Sequence, residues 1–404
     1  MYKIQKFGGT SVATAIQRKD IAQHVISQIK GQQNLRLVIV VSAMGRAGSP
    51  YATDTFLRLL DNYPKTSKSK VDLLLSCGEI ISAVLLAAEI ELQNVKCDIL
   101  TGWNMGIKTD DNFTSANIVS VDNTRIKEAF KKVPIVIVPG FQGLTNTERI
   151  ATLGRGGSDI TAVALGNALK AESVEIFTDV DGVMTADPKI VPEALKLKEI
   201  TYEEIYQMAY GGAKVIHPRA VEMAMKNGLD LWIKPMDFSG TGTFIRNSNK
   251  GSINDTAGEE KGLITGIAEI GELVQYSIYF GKDNKKLELE IFQKIADNNV
   301  SLDLINLSPD KKIFTIFNKD CEVVSEILRE YNLVYEKIEK CSKITIIGTK
   351  MKGKPGVMSE ILSLLFKSDI PILQTADSHI NISILTKSQY AKKAIKEMHK
   401  ALIK

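Results

Sequence analysis

Short β-branched runs alternate with longer segments of helical spacing through residues 1–235 of this 404-residue chain. Three of the runs, at Leu35–Val41, Val133–Val138 and Val174–Val180, read LRLVIVV, VPIVIV and VEIFTDV. Apolar runs of this length are typical of strands that are buried on both faces. Strands that alternate with helices predict an α/β fold, a mostly parallel sheet covered by helices. Ligands in such folds bind beyond the carboxyl ends of the strands, so Gly-rich stretches after strands are the places to search.

Two of the helical segments are predicted from apolar residues that recur on one face. The first face comprises Val12, Ile16, Ala22, Val25, Ile26 and Ile29, and the second comprises Leu74, Ile81, Val84, Leu85 and Ala88. Stripes of this kind predict helices that pack one side against the core.

The sequence changes to a repeated pattern in its last third. From Leu273 to Ile338 it predicts strand, helix, strand, strand, helix and strand, which is the ferredoxin-like order. A second unit begins with a strand at Lys343–Ile347 and stops one strand short. The spare strand-like segment Leu263–Ile267 could supply that strand, so we expect two intertwined ferredoxin-like modules, the first inserted into the second. Two simple tandem modules, one of them truncated, are the alternative.

Composition argues against several classes of protein. The chain has 51 Lys and Arg against 47 Asp and Glu, whereas nucleic-acid binders usually carry a concentrated basic excess. Its four cysteines lie far apart and form no C-x-x-C, and a chain poor in disulfides is typical of the cytosol. Neither a signal peptide nor an apolar run near the roughly 18 residues of a membrane span is evident. We therefore expect a cytoplasmic protein that binds neither nucleic acid nor membrane.

A glycine pair follows the short N-terminal strand, within Lys6-Phe7-Gly8-Gly9-Thr10-Ser11. Adjacent glycines let backbone N–H groups approach a phosphate, and the N-terminus of a following helix adds partial positive charge. Lys6 could reach the phosphate as a point charge. An ordinary strand-to-helix turn with an exposed lysine is the alternative. The P-loop, protein-kinase and Rossmann signatures are all absent from the sequence.

A second glycine-rich stretch, Leu153-Gly154-Arg155-Gly156-Gly157-Ser158-Asp159, precedes a helical run at Ile160–Leu169. Ser158 or Asp159 can cap that helix, but three glycines in four positions exceed what a cap requires. An arginine among glycines is well placed to clamp a carboxylate with two hydrogen bonds. A glycine-rich connector with a solvated arginine is the alternative.

Glu79 of Ser76-Cys77-Gly78-Glu79 lies within an apolar helical region, where a carboxylate needs a partner. It is either the receptor for an ammonium group or a residue of the wet face of the helix.

Two further motifs are weaker on their own. Thr178 and Asp179 end a buried strand, where a nucleotide could bind, although Asp-Gly also makes ordinary turns. Lys214 follows a glycine pair and could contact a phosphate. His217 is expected to be a structural turn residue, and Pro218 suits the first position of a helix.

Taken together and in this order, the motifs resemble those of the aspartate kinases of the amino-acid kinase family. The set consists of KFGGTSV, VVSAMG, SCGE, GFQG, LGRGGSD, FTDVDGV, TADP and GGAKVIHPRA. The resemblance covers essentially the whole chain, because paired ferredoxin-like modules match the regulatory ACT domains of that family. It implies a catalytic domain over 1–240, a linker over 241–261, a first ACT module over 262–340 that shares its 262–270 strand, and a second ACT module over 341–404.

The resemblance also implies a reaction, in which the γ-phosphoryl group of ATP moves to the β-carboxylate of L-aspartate to give 4-phospho-L-aspartate. ATP and Mg²⁺ are the implied cofactors, with no metal ligand assigned among the protein residues. The implied nucleotide-binding residues are Lys6, Gly8, Gly9, Ser42, Thr178, Asp179, Met184, Lys189 and Lys214. Met184 and Lys189 depart from the pattern, since many relatives have tyrosine and arginine there.

The resemblance assigns substrate binding to Thr53, Glu79, Phe141, Arg155 and Ser158. Glu79 would pair with the α-ammonium of aspartate and Arg155 with its α-carboxylate. Lys6 and Asp159 would be catalytic, Asp159 by positioning the lysine. A carboxylate nucleophile with a pKa near ~4 is already ionised at neutral pH, so no general base is needed. Positioning in line and neutralisation of charge by Lys6, Mg²⁺ and backbone N–H groups would then carry the catalysis.

ACT modules usually pair between subunits and bind a small amino acid, so a homodimer with feedback inhibition is implied. The stretch Gln374-Thr375-Ala376-Asp377-Ser378-His379 is more similar to the diaminopimelate-sensitive aspartate kinases of Gram-positive bacilli than to the lysine-sensitive type. This favours meso-diaminopimelate as effector and leaves lysine and threonine open. Asp303 and Asn306 of the first module could also touch an effector.

Two other functions remain as alternatives. One is an amino-acid kinase that acts on glutamate, N-acetylglutamate or a nucleoside monophosphate, against which LGRGGSD and SCGE argue. The other is a catalytically inactive amino-acid sensor, against which the intact Lys6, Arg155 and Asp159 argue.

Overall fold

A computed structural model describes residues 1–238, 240–247, 263–280, 284–309, 311–351 and 354–403. Residues 248–261 of the predicted linker lie outside the described residues. The chain divides into two compact units. The first contains Met1–Val183, Lys196–Tyr206 and the described residues from Lys214 to 247, and the second contains Met184–Leu195, Gln207–Ala213 and the described residues from 263 onwards.

The first unit is built on an eight-stranded sheet. Its strands and those of a smaller sheet are β1 (Tyr2–Phe7), β2 (Arg36–Val41), β3 (Cys97–Ile99), β4 (Ile107–Thr109), β5 (Ile118–Val121), β6 (Ile135–Pro139), β7 (Gln142–Thr145), β8 (Ile150–Thr152), β9 (Val174–Thr178), β10 (Glu199–Thr201), β11 (Leu231–Pro235) and β12 (Thr243–Arg246). The large sheet has the order β10-β12-β11-β9-β1-β2-β6-β3 and is parallel except between β11 and β12. The smaller sheet has the order β5-β4-β7-β8.

The helices of this part of the chain connect the strands. They are α1 (Ala15–Gly31), α2 (Thr53–Arg58), α3 (Lys68–Glu91), α4 (Thr124–Ala129), α5 (Gly157–Leu169), α6 (Tyr202–Tyr210) and α7 (Pro218–Asn227). One core fills the space between α1, α3 and the central strands, and α5 packs against β1 and β9. The three predicted strands are confirmed as β2, β6 and β9. Their β-branched residues are buried because helices lie on both faces.

Helix α1 begins at a capping box, in which the Thr14 hydroxyl accepts the Gln17 N–H and the Gln17 side chain accepts the Thr14 N–H. Its predicted face is confirmed at Ala22, Val25 and Ile26, which are buried. Ile16 was expected on this face but is 74% exposed, because it lies in the first turn, before the helix meets the core.

The predicted face of α3 is wrong at three of its five residues, although Ile81 packs partly against the core. Val84, Leu85 and Ala88 are exposed, whereas the opposite side buries Asp72, Glu79 and small or apolar neighbours. The helix is apolar almost all round, so periodicity could not select the buried side. By length and composition α3 is also apolar enough to cross a membrane, contrary to expectation, although half of its most apolar stretch is buried in the protein. Its packing against α1, β6 and β8 is that of a core helix.

The second unit contains a six-stranded antiparallel sheet of order β14-β15-β13-β16-β18-β17. Its strands are β13 (Gly266–Tyr279), β14 (Asp303–Leu307), β15 (Lys311–Phe317), β16 (Val334–Ile347), β17 (Gln374–Asp377) and β18 (Asn381–Lys387), and its helices are α8 (Lys285–Asp297), α9 (Cys321–Glu330), α10 (Val357–Lys367) and α11 (Ser388–Leu402).

Two long strands make the modules interlock. The end of β13 pairs with β15 and with the start of β16, while the start of β13 pairs with the end of β16, next to β18. Each module therefore has a four-stranded ferredoxin-like sheet, and the segment before the first module completes the second, as predicted. The two predicted strands on either side of residue 271 are one strand interrupted by a bulge, since the register shifts between Ile270 and Gln275.

Candidate active site

The carboxyl ends of β1, β2 and β9 meet at one edge of the first unit's sheet, where β1 lies between the other two. Lys6, the penultimate residue of β1, extends its Nζ atom to 2.7 Å from Oδ1 of Asp159. Both side chains are largely buried, at 13% and 11% exposure. The structure thus brings together the two residues that were predicted to be catalytic, from β1 and from the first turn of α5.

The glycine pair after β1 forms a tight loop over the end of β2. The Gly45 N–H donates to the Gly9 carbonyl at 2.9 Å, and the Ser42 N–H donates to the Phe7 carbonyl at 3.2 Å. A Cβ atom on Gly9 would lie 2.4 Å from the Ala43 carbonyl oxygen, so only glycine fits there. Gly8 and Gly9, which follow β1, therefore pack against the loop after β2 that contains Ser42.

The second glycine loop leads into α5. Gly156, not Ser158 or Asp159, occupies the N-cap, so the predicted side-chain cap is wrong. The φ of Gly156 is 70°, a left-handed conformation that glycine adopts without strain. The helix consequently begins at Gly157, which places Ser158 and Asp159 inside its first turn. The partial positive charge at the N-terminus of this helix favours an anion.

Asp159 also ties the loop before α7 to α5. Its Oδ2 accepts the His217 N–H at 3.3 Å, while His217 Nδ1 caps α7 by accepting the Arg219 N–H at 3.3 Å. Pro218 opens that helix, so the structural predictions for His217 and Pro218 are confirmed, and the phosphate contact of Lys214 stays a prediction. Burial lowers the pKa of His217. The negative charge of Asp159 opposes this effect, and the positive charges of Arg219 and Arg155 add to it.

Three predicted substrate residues surround the start of α5. Arg155 is exposed, and Ser158 is buried against Gly140 so closely that a Cβ there would lie 2.8 Å from the Ser158 Oγ. Phe141 has a φ of 71°, which is uncommon outside glycine. Its N–H donates to Thr161 Oγ1 at 3.1 Å, and its carbonyl accepts the Leu153 N–H at 2.8 Å. These bonds fix Phe141 between α5 and the arginine loop.

Glu79 is 3% exposed, so the alternative of a residue on a wet helix face is wrong. Its Oε1 accepts the Ala43 N–H at 3.0 Å, from the loop that also contacts Gly9. Its Oε2 has no hydrogen-bond partner among the described residues. Burial raises the pKa of Glu79 to about 8. A buried carboxyl group with one vacant oxygen is suited to receive a cationic ligand. Thr53, partly buried, begins α2, which packs on the same helix as Glu79.

The predicted nucleotide residues are divided between the units. Thr178 ends β9 and Asp179 follows it, and Lys214 is exposed beyond α6; these three belong to the first unit. The Asp179 Oδ2 lies 2.5 Å from Arg46 NH2, a partner that the sequence did not suggest. Met184 and Lys189 belong to the second unit, where Met184 packs on a hydrophobic core and Lys189 is exposed.

Sequence reasoning missed two residues that hold the arginine loop. Asp72, fully buried in α3, accepts the Thr152 N–H and hydroxyl, both at 2.8 Å, and the Thr114 N–H at 2.9 Å. Arg219 donates to the Leu153 carbonyl at 2.8 Å. The reasoning that selected Glu79, an acid in an apolar helix, applies equally to Asp72. Arg219 lies in a motif that was recognised, but its role depends on a contact 66 residues away.

Comparison with known proteins gives two family matches. The profile of the amino acid kinase family matches residues 1–235, and a profile of the ACT domain matches residues 336–400. Aspartokinase 1 of Bacillus subtilis (strain 168) is 38% identical over 397 residues, which are 98% of this chain and 97% of that protein.

Two solved structures have the same fold. The crystal structure of E. coli aspartokinase III in complex with aspartate and ADP (R-state) gives a TM-score of 0.78 at 24% identity and covers 100% of both chains. The structure of that enzyme in complex with lysine and aspartate (T-state) gives a TM-score of 0.73 at 25% identity, covering 100% of this chain and 99% of that one.

The match to the amino acid kinase family over the parallel sheet and the match to the ACT domain in the second unit define a kinase with a regulatory part. Similarity along nearly the whole length narrows the class further. The chain belongs to the aspartokinases of the amino acid kinase family.

Proposed function

We propose that the chain uses ATP to phosphorylate the β-carboxylate of L-aspartate, producing 4-phospho-L-aspartate for the diaminopimelate, lysine, threonine and methionine pathways. The observation that carries this proposal is Glu79, a buried carboxyl group with one oxygen vacant among the described residues. A free α-ammonium group supplies the charge and the N–H donors that this oxygen lacks. An N-acylated amino acid or a nucleotide acceptor would leave it unpaired.

The remaining substrate residues are proposed around that anchor. Arg155 would clamp the α-carboxylate, Ser158 would hydrogen-bond the substrate, and Phe141 and Thr53 would line the pocket. The exposed guanidinium of Arg155 and the buried hydroxyl of Ser158 support these roles. With both ends of the zwitterion engaged, the β-carboxylate is the group left to react.

Lys6 is proposed to neutralise the transferring phosphoryl group, beside the N–H groups of Gly8 and Gly9 and the nearby Ser42. Its ion pair with Asp159 supports this, because a lysine held at a fixed position needs little reorganisation during the reaction. Aspartate attacks as an anion, so what the protein must supply is in-line positioning and positive charge.

ATP use is supported by the ADP in the E. coli aspartokinase III structure. Thr178, Asp179 and Lys214 are proposed to meet the nucleotide, together with Met184 and Lys189. Mg²⁺ is proposed to bind with the phosphates of ATP, where it neutralises charge. Mg²⁺ keeps several of its waters and needs few protein ligands. Within the described ranges no three His, Cys, Asp or Glu side chains form a metal-binding group.

Feedback control is proposed through the ACT modules, with meso-diaminopimelate as the favoured effector and lysine or threonine as alternatives. A cavity of about 370 Å³ in the second module supports an amino-acid effector there. It is lined by charges of both signs, Lys354 and Asp377, and by His379. A zwitterion could satisfy both charges. Lysine in the E. coli T-state structure keeps the lysine alternative open.

A homodimer through the ACT modules is proposed on the basis of an edge strand of their sheet. The edge strand β14 exposes Ile305 and Leu307, at 54% and 61%, and exposed apolar edges favour pairing with another chain. A cytoplasmic location is proposed because the four cysteines are free. The mass in solution, measured by sedimentation equilibrium, tests the dimer.

The domain boundaries also remain a proposal: a catalytic domain over 1–240, a linker over 241–261, a first ACT module over 262–340 and a second over 341–404. Strand β12 at Thr243–Arg246 pairs with β10 and β11. The start of the linker therefore also serves the catalytic sheet.

The test is ADP release by the purified protein with Mg-ATP. L-aspartate is compared with glutamate, N-acetylglutamate and UMP, each with and without meso-diaminopimelate, lysine or threonine. Turnover that is specific to aspartate and suppressed by diaminopimelate supports both proposals. Suppression by lysine or threonine contradicts diaminopimelate as the effector and leaves the proposed substrate unchanged. Turnover with another acceptor contradicts the substrate, and no turnover under any condition favours the inactive sensor.

A further inference from the structure

The segment Met184–Leu195 belongs to the second unit, although the residues on either side of it, Val183 and Lys196, belong to the first. This segment contains Met184 and Lys189, two of the proposed nucleotide residues. The chain therefore leaves the kinase unit, packs with the ACT modules, and returns. A segment that is proposed to contact ATP therefore packs in the unit that contains the ACT modules.

The segment contributes side chains to the core of the second ACT module. Ala186, Val191 and Ala194 are between 3% and 9% exposed. They form one hydrophobic cluster with residues of β16, β18 and α11, among them Ile346 and Met398. Because these side chains are packed into the core of the module, a rearrangement of that core must also change the packing around the segment.

Thr185 concentrates the polar contacts of the segment. Its N–H donates to the Leu195 carbonyl at 2.9 Å, and its carbonyl accepts the Ile267 N–H, from β13, at 2.7 Å. Its hydroxyl accepts the Leu195 N–H at 2.9 Å and lies 2.9 Å from Nε2 of His399, on α11. Thr185 thus closes the segment on itself and ties it to a strand and a helix of the module.

The hydrogen bond between Thr185 and His399 is buried, at 3% and 6% exposure. Burial lowers the pKa of His399, against the opposing charge of Glu193, and so favours a neutral imidazole. The neutral ring can accept the hydroxyl proton of Thr185 at Nε2, while the hydroxyl oxygen still accepts the Leu195 N–H. A satisfied buried bond of this kind specifies one position of the segment.

A second segment repeats the arrangement before Lys214. Gln207–Ala213 also belongs to the second unit. Asn381 of β18 donates to the Gln207 side chain at 2.6 Å, and a Cβ atom on Gly212 would lie 2.0 Å from the Glu269 carbonyl oxygen of β13. Two segments that contain or precede proposed nucleotide-binding residues therefore contact the strands of the ACT sheet.

We propose that Thr185 and His399 are positioning residues for nucleotide binding, whose hydrogen bond transmits the state of the second ACT module to the segment that contains Lys189. The inference rests on the proposed function, because it takes Lys189 as a contact of ATP. Neither residue touches the reacting groups. Their loss should weaken ATP binding while the aspartate site, on α3 and α5, stays intact.

The test compares wild type with Thr185→Val, His399→Leu and His399→Gln, using the full chain. Thr185→Val and His399→Leu are expected to raise the KM for ATP about three- to tenfold, the effect of one buried hydrogen bond. The kcat at saturating ATP and the KM for aspartate should stay within about twofold of wild type. His399→Gln offers an amide oxygen to the Thr185 hydroxyl and should restore at least half of the lost affinity.

Tyr276→Phe is the matched control. The Tyr276 hydroxyl is buried and lies 2.7 Å from Ser325 Oγ, in the core of the first ACT module, which contains no residue of the segment. This variant loses a comparable buried bond and should keep the KM for ATP. The proposal is overturned if Thr185→Val and His399→Leu leave that KM unchanged, if Tyr276→Phe raises it equally, or if the KM for aspartate rises in parallel.

A second measurement covers variants that do not fold and a wild type that shows no kinase activity. Hydrogen exchange of the wild-type protein is followed with and without Mg-ADP. ADP should protect amides in 184–195 and in α11 near His399. Protection of 184–195 without any change in α11 overturns the inference. If the wild type is inactive but shows both protections, the proposed phosphorylation of aspartate is contradicted, whereas the inference about Thr185 and His399 is supported.

Discussion

The Nζ atom of Lys6 lies 2.7 Å from the Oδ1 atom of Asp159, at the junction of the first strand with the first turn of α5. Because Asp159 also accepts the His217 N–H, one carboxylate fixes both the lysine and the loop before α7. The pair holds the Lys6 ammonium group at the carboxyl edge of the sheet, between the end of β1 and the start of α5.

Lys6→Met is expected to lower kcat by about 10²–10³-fold, the usual cost of losing one group that stabilises transition-state charge. The KM for aspartate should change far less, because Glu79 and Arg155 are proposed to bind that substrate. The measurement is steady-state kinetics at saturating Mg-ATP. Lys3→Met is the control on the same strand: Lys3 points to the opposite face, 3.6 Å from Glu175. Normal turnover by Lys6→Met would remove the lysine from the mechanism.

Aspartate binding is expected to release a proton at neutral pH. Burial raises the pKa of Glu79 to about 8, so the free protein holds this carboxyl group mostly protonated at pH 7. The α-ammonium of aspartate favours the ionised form and expels the proton. Apparent affinity should therefore rise with pH from 6.5 to 8, by up to about tenfold per unit. Calorimetric titration in buffers of different ionisation enthalpy measures the proton directly.

Two variants separate Glu79 from other buried acids. Glu79→Gln should abolish the proton release and weaken aspartate binding. Glu175→Gln should leave the release intact: although burial opposes ionisation, Lys234 and Lys3 hold the pKa of Glu175 below its ordinary value, so it is already ionised. Equal proton release by wild type and Glu79→Gln would show that another group titrates.

The parts of the fold that sequence predicts well are those in which burial and pattern agree. Strands β2, β6 and β9 are covered on both faces and consist of unbroken β-branched runs. The interlocked modules follow from counting strands. The break expected near residue 271 is instead a bulge, at which Glu272 takes a φ of 56°. Residues that favour turns occur both at bulges and at the ends of strands, and only the pairing with the neighbouring strand distinguishes the two.

Sites that depend on distant contacts are harder to predict. Nothing around Asp179 in sequence indicates Arg46, 133 positions earlier, although their side chains lie 2.5 Å apart. Nothing in TADP indicates that Thr185 bonds to His399, because the partner is 214 residues away. Motifs identify the residue types of a site, whereas three-dimensional packing decides which unit holds them.

Gly9→Ala is expected to abolish most activity without unfolding the protein. Its Cβ would lie 2.4 Å from the Ala43 carbonyl oxygen and 2.7 Å from that of Gly45. Both neighbours are backbone atoms, so the loop that carries the Glu79 contact must move. Gly31→Ala, at the end of α1, meets no atom within 4 Å and is the control. Kinetics and thermal unfolding of both variants provide the check, and an active Gly9→Ala would show that the loop tolerates displacement.

The ion pair of Lys343 with Asp303 should respond unequally to the loss of either partner. The Lys343 side chain is 6% exposed, lies 5.3 Å from the centre of the Tyr210 ring and donates to Asp303, whose side chain is 36% exposed. Asp303→Asn removes the charge that compensates a buried ammonium group; this costs about 3–5 kcal/mol when both partners are buried, and less here because Asp303 is partly exposed.

Lys343→Met keeps the apolar stem and leaves a carboxylate that already reaches water, so we expect a much smaller loss. Thermal unfolding midpoints should therefore fall in the order wild type, Lys343→Met, Asp303→Asn. Lys294→Met, at the exposed pair with Glu330, should leave the midpoint almost unchanged, since exposed ion pairs contribute little. If Lys343→Met were the less stable of the two, the contact of the ammonium group with the Tyr210 ring, and not its pairing with Asp303, would be what stabilises this part of the ACT sheet.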